Sequence, residues 1–148
     1  MAPVLLDVNV LLALAWPNHI HHEAAHRWIA ARGQRKWATC PLTQLAFVRL
    51  SSQAVVVKTA ISVSAAPHTL NANIASPDHE FWPMEHGLSE VLTEIRERLV
   101  GHHQLADGLL LDLAIRRGGS LSTFDQRVAA LLAPDSSHRS AVEIVPAM

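Results

Sequence analysis

The hydrophobic positions of this chain fall into short continuous runs and into longer stretches with helical spacing. Short apolar runs are typical of strands buried on both faces, whereas spacings of three and four residues indicate helices. Strands are predicted at residues 4–8, 36–39, 80–82, 121–124 and 143–145. Helices are predicted at residues 10–16, 22–32, 42–52, 64–75, 89–100, 105–117 and 126–132. Residues 55–57 have strand propensity but lie in the part of the chain whose hydrophobic pattern assigns secondary structure least clearly.

The alternation of strands and helices predicts an α/β fold with a parallel sheet. We expect a three-layer sandwich in which a central parallel sheet of four to five strands is flanked by helices. With 148 residues, the chain has the length of one domain, predicted to span 1–148. A hydrophobic content of 49% with 17% charged residues indicates a compact domain rather than a disordered chain.

Charge and cysteine content narrow the classes of function. A formal net charge of -1 argues against a broad basic surface for duplex nucleic acid, although a local phosphate-binding groove is compatible with it. Cys40 is the single cysteine, which excludes an internal disulfide framework and a cysteine zinc cluster. No run approaches the roughly 20 apolar residues of a membrane span. No basic residue precedes the first apolar stretch, so we expect no signal peptide and a cytoplasmic location.

Three aspartates occupy positions where the surrounding sequence is apolar. Asp7 interrupts the first apolar run, Asp107 opens a helical one, and Asp125 closes the strand at 121–124. An ionised carboxylate in such surroundings is costly unless it is paired or binds a metal. The three residues therefore predict an acidic pocket built for a cation.

Topology can bring these aspartates together, because ligands of an open parallel sheet bind outside the carboxyl ends of its strands. Asp7 and Asp125 lie at such ends, and Asp107 lies at a helix start, where negative charge is favoured. Oxygen ligands suit Mg²⁺ or Mn²⁺, and such a cation supports phosphodiester hydrolysis by activating water. Thr123 and Asn9 are each two residues from an aspartate and are candidates to hold water or a phosphate oxygen.

Helix capping is the alternative role for some of these residues. Asp107, Asp125 and Asn9 are each placed to cap a predicted helix, and capping is compatible with metal binding for both aspartates. Asp7 is expected to lie within the sheet with no local partner. Asp112 lies four residues before Arg116, a spacing that predicts an exposed ion pair, so it is not assigned to the site.

Four segments, in their order and spacing, resemble the PIN-domain family, and more narrowly the VapC toxins of bacterial toxin–antitoxin pairs. They run nearly from one end of the chain to the other: Leu6–Leu14, Thr39–Leu50, Leu105–Leu111 and Leu121–Asp125. The resemblance implies an endoribonuclease that depends on Mg²⁺ or Mn²⁺ and acts on structured RNA such as tRNA or rRNA. It also implies a homodimer that is neutralised by a VapB antitoxin, whose C-terminal arm blocks the groove.

The resemblance also assigns residues. Asp7, Asp107 and Asp125 match the metal-binding acids. The expected catalytic set consists of these aspartates, Thr123, which is included for its spacing from Asp125, and Gln44. Gln44 stands where the family commonly has a glutamate. Its amide can bind a metal through oxygen or orient a water, but it cannot act as a general base.

Two other functions fit parts of the sequence. The segment His22-Glu23-Ala24-Ala25-His26 matches the H-E-x-x-H signature of zinc metallopeptidases, with Glu23 as candidate base. The third histidine of the longer metzincin signature does not follow it, although the chain has ten histidines in all. A non-catalytic module that binds RNA or protein is the other alternative, and Gln44 supports it. Arg49, which follows Gln44, is a candidate for contact with RNA phosphate.

Overall fold

The computed structural model describes residues 2–53 and 64–147. The strands in this part of the chain are β1 (Val4–Leu6), β2 (Trp37–Thr39), β3 (His79–Phe81), β4 (Ser120–Thr123) and β5 (Val142–Ile144). The α-helices are α1 (Val8–Ala15), α2 (His22–Ala30), α3 (Pro41–Ser51), α4 (Ala66–Ile74), α5 (Thr93–Arg98) and α6 (Leu105–Arg116). Short 3-10 helices lie at Leu88–Glu90, His102–Gln104, Gln126–Leu131 and Arg139–Ala141. None of the helices described is long and apolar enough to cross a membrane.

The strands form one parallel sheet in the order β3-β2-β1-β4-β5, which confirms the predicted α/β class. The chain moves outwards from β1 to β2 and β3, and then returns to the other side of β1 with β4. The order therefore reverses between β1 and β4, where Leu6 pairs with Ser122. In open parallel sheets such a reversal leaves a crevice at the carboxyl ends of the two strands.

Side chains of β1 alternate between two hydrophobic cores on opposite faces of the sheet. Leu5 packs in one core with Leu111 of α6, and Leu6 packs in the other with Phe47 of α3 and Leu70 of α4. Each of the two β1 leucines is fully buried, which stabilises the fold by roughly 1.5–3 kcal/mol per side chain. Helices thus cover both faces, and the predicted three-layer sandwich is confirmed.

Strand β1 ends two residues earlier than predicted because Asp7 begins helix α1. The Asp7 carboxylate accepts a hydrogen bond from the Val8 backbone N–H, as an N-cap residue does. Asn9, predicted to be the cap, instead lies inside α1. The shift places the Asp7 side chain at the mouth of the crevice between β1 and β4.

The helix predicted at 89–100 is interrupted, and the reason lies in a neighbouring aspartate. Val91 and Leu92 have extended ψ angles, and the Leu92 N–H donates to Asp112 instead of to a helical carbonyl. Only Thr93–Arg98 is α-helical.

Residues 126–131 form a 3-10 helix where an α-helix was predicted. The strand predicted at 55–57 lies outside the described residues.

The ion pair predicted between Asp112 and Arg116 is present, but the Asp112 carboxylate is buried rather than exposed. Asp112 is only 1% exposed, and its carboxylate joins Arg116 to the Leu92 N–H. Glu94 and Arg98 are also four residues apart on one helix, but they do not pair; the Glu94 carboxylate instead accepts from the Ala133 N–H at 3.2 Å. The helices that carry these residues are packed against neighbouring elements, and the helical spacing alone did not reveal that packing.

Candidate active site

Asp7 is held by two hydrogen bonds at the end of β1. One carboxylate oxygen accepts from the Val8 N–H at 2.8 Å, and the other accepts from the Thr123 hydroxyl at 2.8 Å. The side chain is almost fully buried. The expectation that Asp7 has no local partner is therefore wrong. Each carboxylate oxygen accepts more than one bond, so capping leaves capacity for a further ligand.

Thr123 connects two of the aspartates from the end of β4. Its hydroxyl donates to Asp7 and accepts from the Asp125 backbone N–H at 3.1 Å. The side chain is buried and does not line a cavity beside the aspartates. Thr123 is therefore placed to position Asp7 and the Asp125 loop, rather than to contact a substrate.

All three predicted aspartates line one cavity of about 240 Å³, which we call the acid groove. It opens at the carboxyl ends of β1 and β4, between the first turns of α1 and α6 and one face of α3. Its lining residues are Asp7, Val8, Asn9, Leu42, Thr43, Ala46, Arg49, Ala106, Asp107, Leu110 and Asp125. The folded chain thus brings together residues that are more than 100 positions apart in sequence, as the sheet topology predicted.

Asp107 lies in the first turn of α6 but does not cap it, because the N-cap position belongs to Gln104. Among the described residues, the Asp107 carboxylate accepts no hydrogen bond. Burial raises the pKa of Asp107 to about 6, and the negative charges of Asp7 and Asp125 add to the rise, while Arg127 opposes it. Burial also raises the pKa of Asp7, against the lowering effect of the Thr123 hydrogen bond. The surroundings of Asp7 and Asp107 therefore do not supply enough positive charge to offset the burial of the two carboxylates.

Asp125 has the opposite electrostatic environment. It caps the 3-10 helix that follows, accepting from the Arg127 N–H at 2.9 Å, and the Arg127 guanidinium binds the same carboxylate with contacts of 2.9–3.3 Å. The hydrogen bonds from Arg127 lower the pKa of Asp125. The predicted capping role of Asp125 is confirmed, and its carboxylate is turned towards Arg127.

The donor chemistry of the acid groove fits a hard divalent cation. Within residues 2–53 and 64–147, no three acidic, imidazole or thiol side chains are grouped closely enough to hold a metal as they stand. The aspartates are not grouped more closely because the Asp125 carboxylate binds Arg127 and faces it rather than Asp107. Asp7 and Asp107 are nevertheless carboxylates of raised pKa on one small cavity, a setting that a cation would stabilise.

The raised pKa of Asp107 predicts how stability depends on pH in the metal-free protein. Its folded value of about 6 exceeds the ordinary 3.8, so between about pH 4 and pH 6 the folded state binds more protons than the unfolded state. The contribution of Asp107 to stability is therefore expected to fall as pH rises through this window. In EDTA, the unfolding temperature of Asp107→Asn should rise relative to that of the wild type between about pH 4 and pH 6. Exposed Asp135→Asn is the control, and the same dependence on pH in all three proteins would contradict the prediction.

Gln44 is not part of the acid groove, which corrects its assignment to the catalytic set. Its amide donates to the Thr39 hydroxyl at 2.9 Å, on the other side of α3. The α3 face towards the aspartates instead carries Leu42, Ala46 and Arg49, so it contributes no acid. The sequence could have indicated this orientation. On a helix, Gln44 is rotated by roughly 200° from both Leu42 and Ala46, each two residues away, so it lies on a different face.

The H-E-x-x-H segment lies at the opposite end of α1 and does not resemble a peptidase site. The His22 Nδ1 is 2.7 Å from the Ala13 carbonyl oxygen, and the His26 Nε2 is 2.9 Å from that of Leu14. Each imidazole thus uses one nitrogen on the backbone. No third zinc ligand joins them within the described part of the chain. The geometry does not support the zinc metallopeptidase alternative.

Comparison with known proteins agrees with the fold. The model of the PIN domain family matches residues 4–132. Ribonuclease VapC39 of Mycobacterium tuberculosis is 39% identical over 141 residues, which are 95% of this chain and 98% of the relative. Ribonuclease VapC38 of the same organism is 42% identical over 127 residues, 86% of this chain and 88% of the relative.

Two solved structures share the fold at low sequence identity. VapBC2 from Rickettsia felis, determined with a DNA fragment from its promoter, matches with a TM-score of 0.61 at 14% identity, over 96% of this chain and 98% of that chain. PAE2754 from Pyrobaculum aerophilum matches with a TM-score of 0.59 at 21% identity, over 95% and 83%. Since the family model covers most of the chain and close relatives cover nearly all of it, this chain belongs to the PIN-domain family, among the VapC ribonucleases.

Proposed function

We propose that this chain is a Mg²⁺- or Mn²⁺-dependent endoribonuclease, the toxin of a toxin–antitoxin pair, which hydrolyses phosphodiester bonds in structured RNA such as tRNA or rRNA. The observation that carries the proposal is the Asp107 carboxylate. It has a raised pKa and no hydrogen-bond partner among the described residues, and it shares a cavity with Asp7 and Asp125. Relatives that are about 40% identical over most of their length are named ribonucleases, which supports the same activity.

In this proposal Asp7 and Asp107 hold the cation, and Asp125 joins them when it is released from Arg127. When bound, the cation supplies the Lewis acidity that phosphodiester hydrolysis needs. Thr123 keeps Asp7 and the Asp125 backbone in register through its two hydrogen bonds. The aspartates thus supply negative charge, Thr123 positions them, and the crevice at the strand ends gives the substrate access.

Positive side chains at the rim are the proposed contacts for RNA phosphate. Arg49 lines the acid groove from α3. Arg127 is 88% exposed and lines an adjoining cavity of about 320 Å³ that also includes Asp107 and Asp125. The arginines lie beside the acids, so an RNA backbone can reach the carboxylates without a broad basic surface, in keeping with the net charge of -1.

The adjoining cavity is also the proposed place for the antitoxin. Val100, Val128 and Leu131 give it an apolar wall next to Asp107 and Asp125, and Val100 is 92% exposed. An arm of a VapB-like antitoxin that carries both apolar and cationic side chains would cover the apolar wall and neutralise the acids. We also propose that the chain forms a homodimer and acts in the cytoplasm.

Cleavage of RNA by the purified chain tests this function directly. With tRNA or rRNA as substrate, we expect cleavage in Mg²⁺ or Mn²⁺ and none after EDTA, with recovery when the cation is restored. A non-catalytic module would bind RNA in Mg²⁺ and leave it intact. Cleavage that persists in EDTA, or an absence of cleavage of every structured RNA tried, would contradict the proposal.

Arg49→Gln is expected to weaken RNA binding without changing metal binding. One lost phosphate contact should reduce the slope of log affinity against log salt by about 0.7–1, and KM should rise more than kcat falls. Fluorescence anisotropy at several salt concentrations measures the slope. Lys36→Gln is the control, because Lys36 is exposed just before β2, at the opposite edge of the sheet. Equal slopes in wild type and Arg49→Gln would remove Arg49 from the RNA surface.

A further inference from the structure

The two histidines of the H-E-x-x-H segment form a close pair on the surface. His22 and His26 are four residues apart on α2, and their ring centroids are separated by 4.4 Å. Both line an open cavity of about 590 Å³, together with Glu23 and Arg27 of the same helix. This cavity shares no residue with the acid groove. The catalytic proposal therefore leaves the pair without a role.

Hydrogen bonds to α1 fix the tautomer of each ring. A carbonyl oxygen can only accept, so the His22 Nδ1 must carry the proton that reaches the Ala13 oxygen at 2.7 Å. By the same reasoning, the His26 Nε2 carries the proton that reaches the Leu14 oxygen at 2.9 Å. The neutral rings are left with one bare nitrogen each, the Nε2 of His22 and the Nδ1 of His26.

This arrangement is the one that metal-binding histidines use. Such a histidine commonly donates its second ring N–H to a backbone carbonyl or a carboxylate, which orients the ring and raises the basicity of the ligating nitrogen. The carbonyls of Ala13 and Leu14 belong to the last turn of α1, the negative end of its dipole, which strengthens this effect. We propose that His22 and His26 bind one divalent transition-metal cation of the Zn²⁺ or Ni²⁺ class, at a site separate from the acid groove.

The ligand set decides which cations fit. Two imidazoles favour borderline cations such as Ni²⁺, Cu²⁺ and Zn²⁺ over Mg²⁺, which prefers carboxylate oxygen and water. The described residues offer no third ligand of the acidic, imidazole or thiol type that would close the coordination sphere, so water completes it. Glu23 favours a cation in this cavity and Arg27 opposes it, which makes the site one of moderate affinity.

Titration of Ni²⁺ into the untagged full chain tests the site, with Mg²⁺ present to occupy the carboxylates. The variants His22→Asn and His26→Gln remove the bare nitrogens. The Asn amide can still donate to the Ala13 oxygen, and the Gln amide can still donate to the Leu14 oxygen, so α1 stays capped. Loss of an outer-shell partner alone costs roughly 10–100-fold in metal affinity. We therefore expect each variant to bind Ni²⁺ at least about ten-fold more weakly.

Two control variants make the result specific. His68→Ala removes an exposed histidine of α4, and Asp135→Asn removes an exposed carboxylate outside the acid groove. Both should bind one Ni²⁺ as the wild type does, and Ni²⁺ should raise the unfolding temperature of these proteins but not of His22→Asn or His26→Gln. Unchanged Ni²⁺ affinity in either histidine-pair variant, or an equal loss in His68→Ala, would overturn the proposal. The outcome is independent of whether the chain cleaves RNA.

Discussion

Replacement of Asp7 by asparagine is expected to lower kcat/KM for RNA cleavage by about 10²–10⁴-fold while the protein stays folded. Asp7 is the most buried of the three groove aspartates, and Thr123 and Val8 hold its carboxylate in place. An amide keeps the shape but loses the negative charge that a divalent cation requires. The catalytic loss should therefore come from the charge rather than from a change in fold.

Stability should move in the opposite direction from activity in this variant. Asparagine caps helices about as well as aspartate, so the bond from the Val8 N–H can be retained. Burial raises the pKa of Asp7, which means that ionising this carboxylate costs more in the folded protein than in the unfolded chain. Removing that charge should leave the unfolding temperature equal to that of the wild type or higher, as measured in EDTA at pH 7.

Two further variants separate charge from position. Thr123→Val removes the hydroxyl that positions Asp7, so we expect an intermediate loss of activity and weaker Mn²⁺ binding, measured by calorimetry. Asp135→Asn changes an exposed aspartate outside the groove and should cleave as the wild type does. If Asp7→Asn cleaves RNA at the wild-type rate, Asp7 is not a metal ligand for the reaction.

The sheet and the convergence of the aspartates followed from the sequence because both depend on strong, local signals. The run around Leu5 reads as a strand buried on both faces, and Leu5 and Leu6 do enter separate cores. Parallel strands place their carboxyl ends at one edge, so Asp7 and Asp125 had to lie near each other once β1 and β4 were adjacent. These conclusions needed no knowledge of side-chain orientation.

The errors concern orientation, which tertiary packing decides. Gln44 was matched by its place in a motif, but a helix turns about 100° per residue, and its side chain faces Thr39 instead of the groove. Asp7 was expected to lie within a strand, yet a strand that ended at Leu6 let it cap α1. The bond that Thr123 provides crosses 116 positions of sequence, and no local pattern encodes it.

Asp112 shows the same limit and leads to the largest expected change in stability. Its spacing from Arg116 predicted an exposed ion pair, but the carboxylate is buried and ties α6 to the segment before α5. Arg116 also donates to the Glu90 carbonyl at 2.6 Å. Asp112 therefore binds the Leu92 N–H directly and the Glu90 carbonyl through Arg116. These bonds to a charged group each contribute more than an ordinary hydrogen bond.

Asp112→Ala is expected to lower the free energy of unfolding by about 2–4 kcal/mol, because it leaves the Leu92 N–H and the Arg116 Nε without their acceptor and removes the charge that pairs with Arg116. The unfolding temperature should fall by roughly 5–15 °C, as measured by circular dichroism in EDTA. Asp112 does not line the acid groove, so cleavage per folded molecule should persist well below that temperature. Asp135→Ala is the exposed control, and an equally small shift in both variants would show that the buried network does not stabilise the fold.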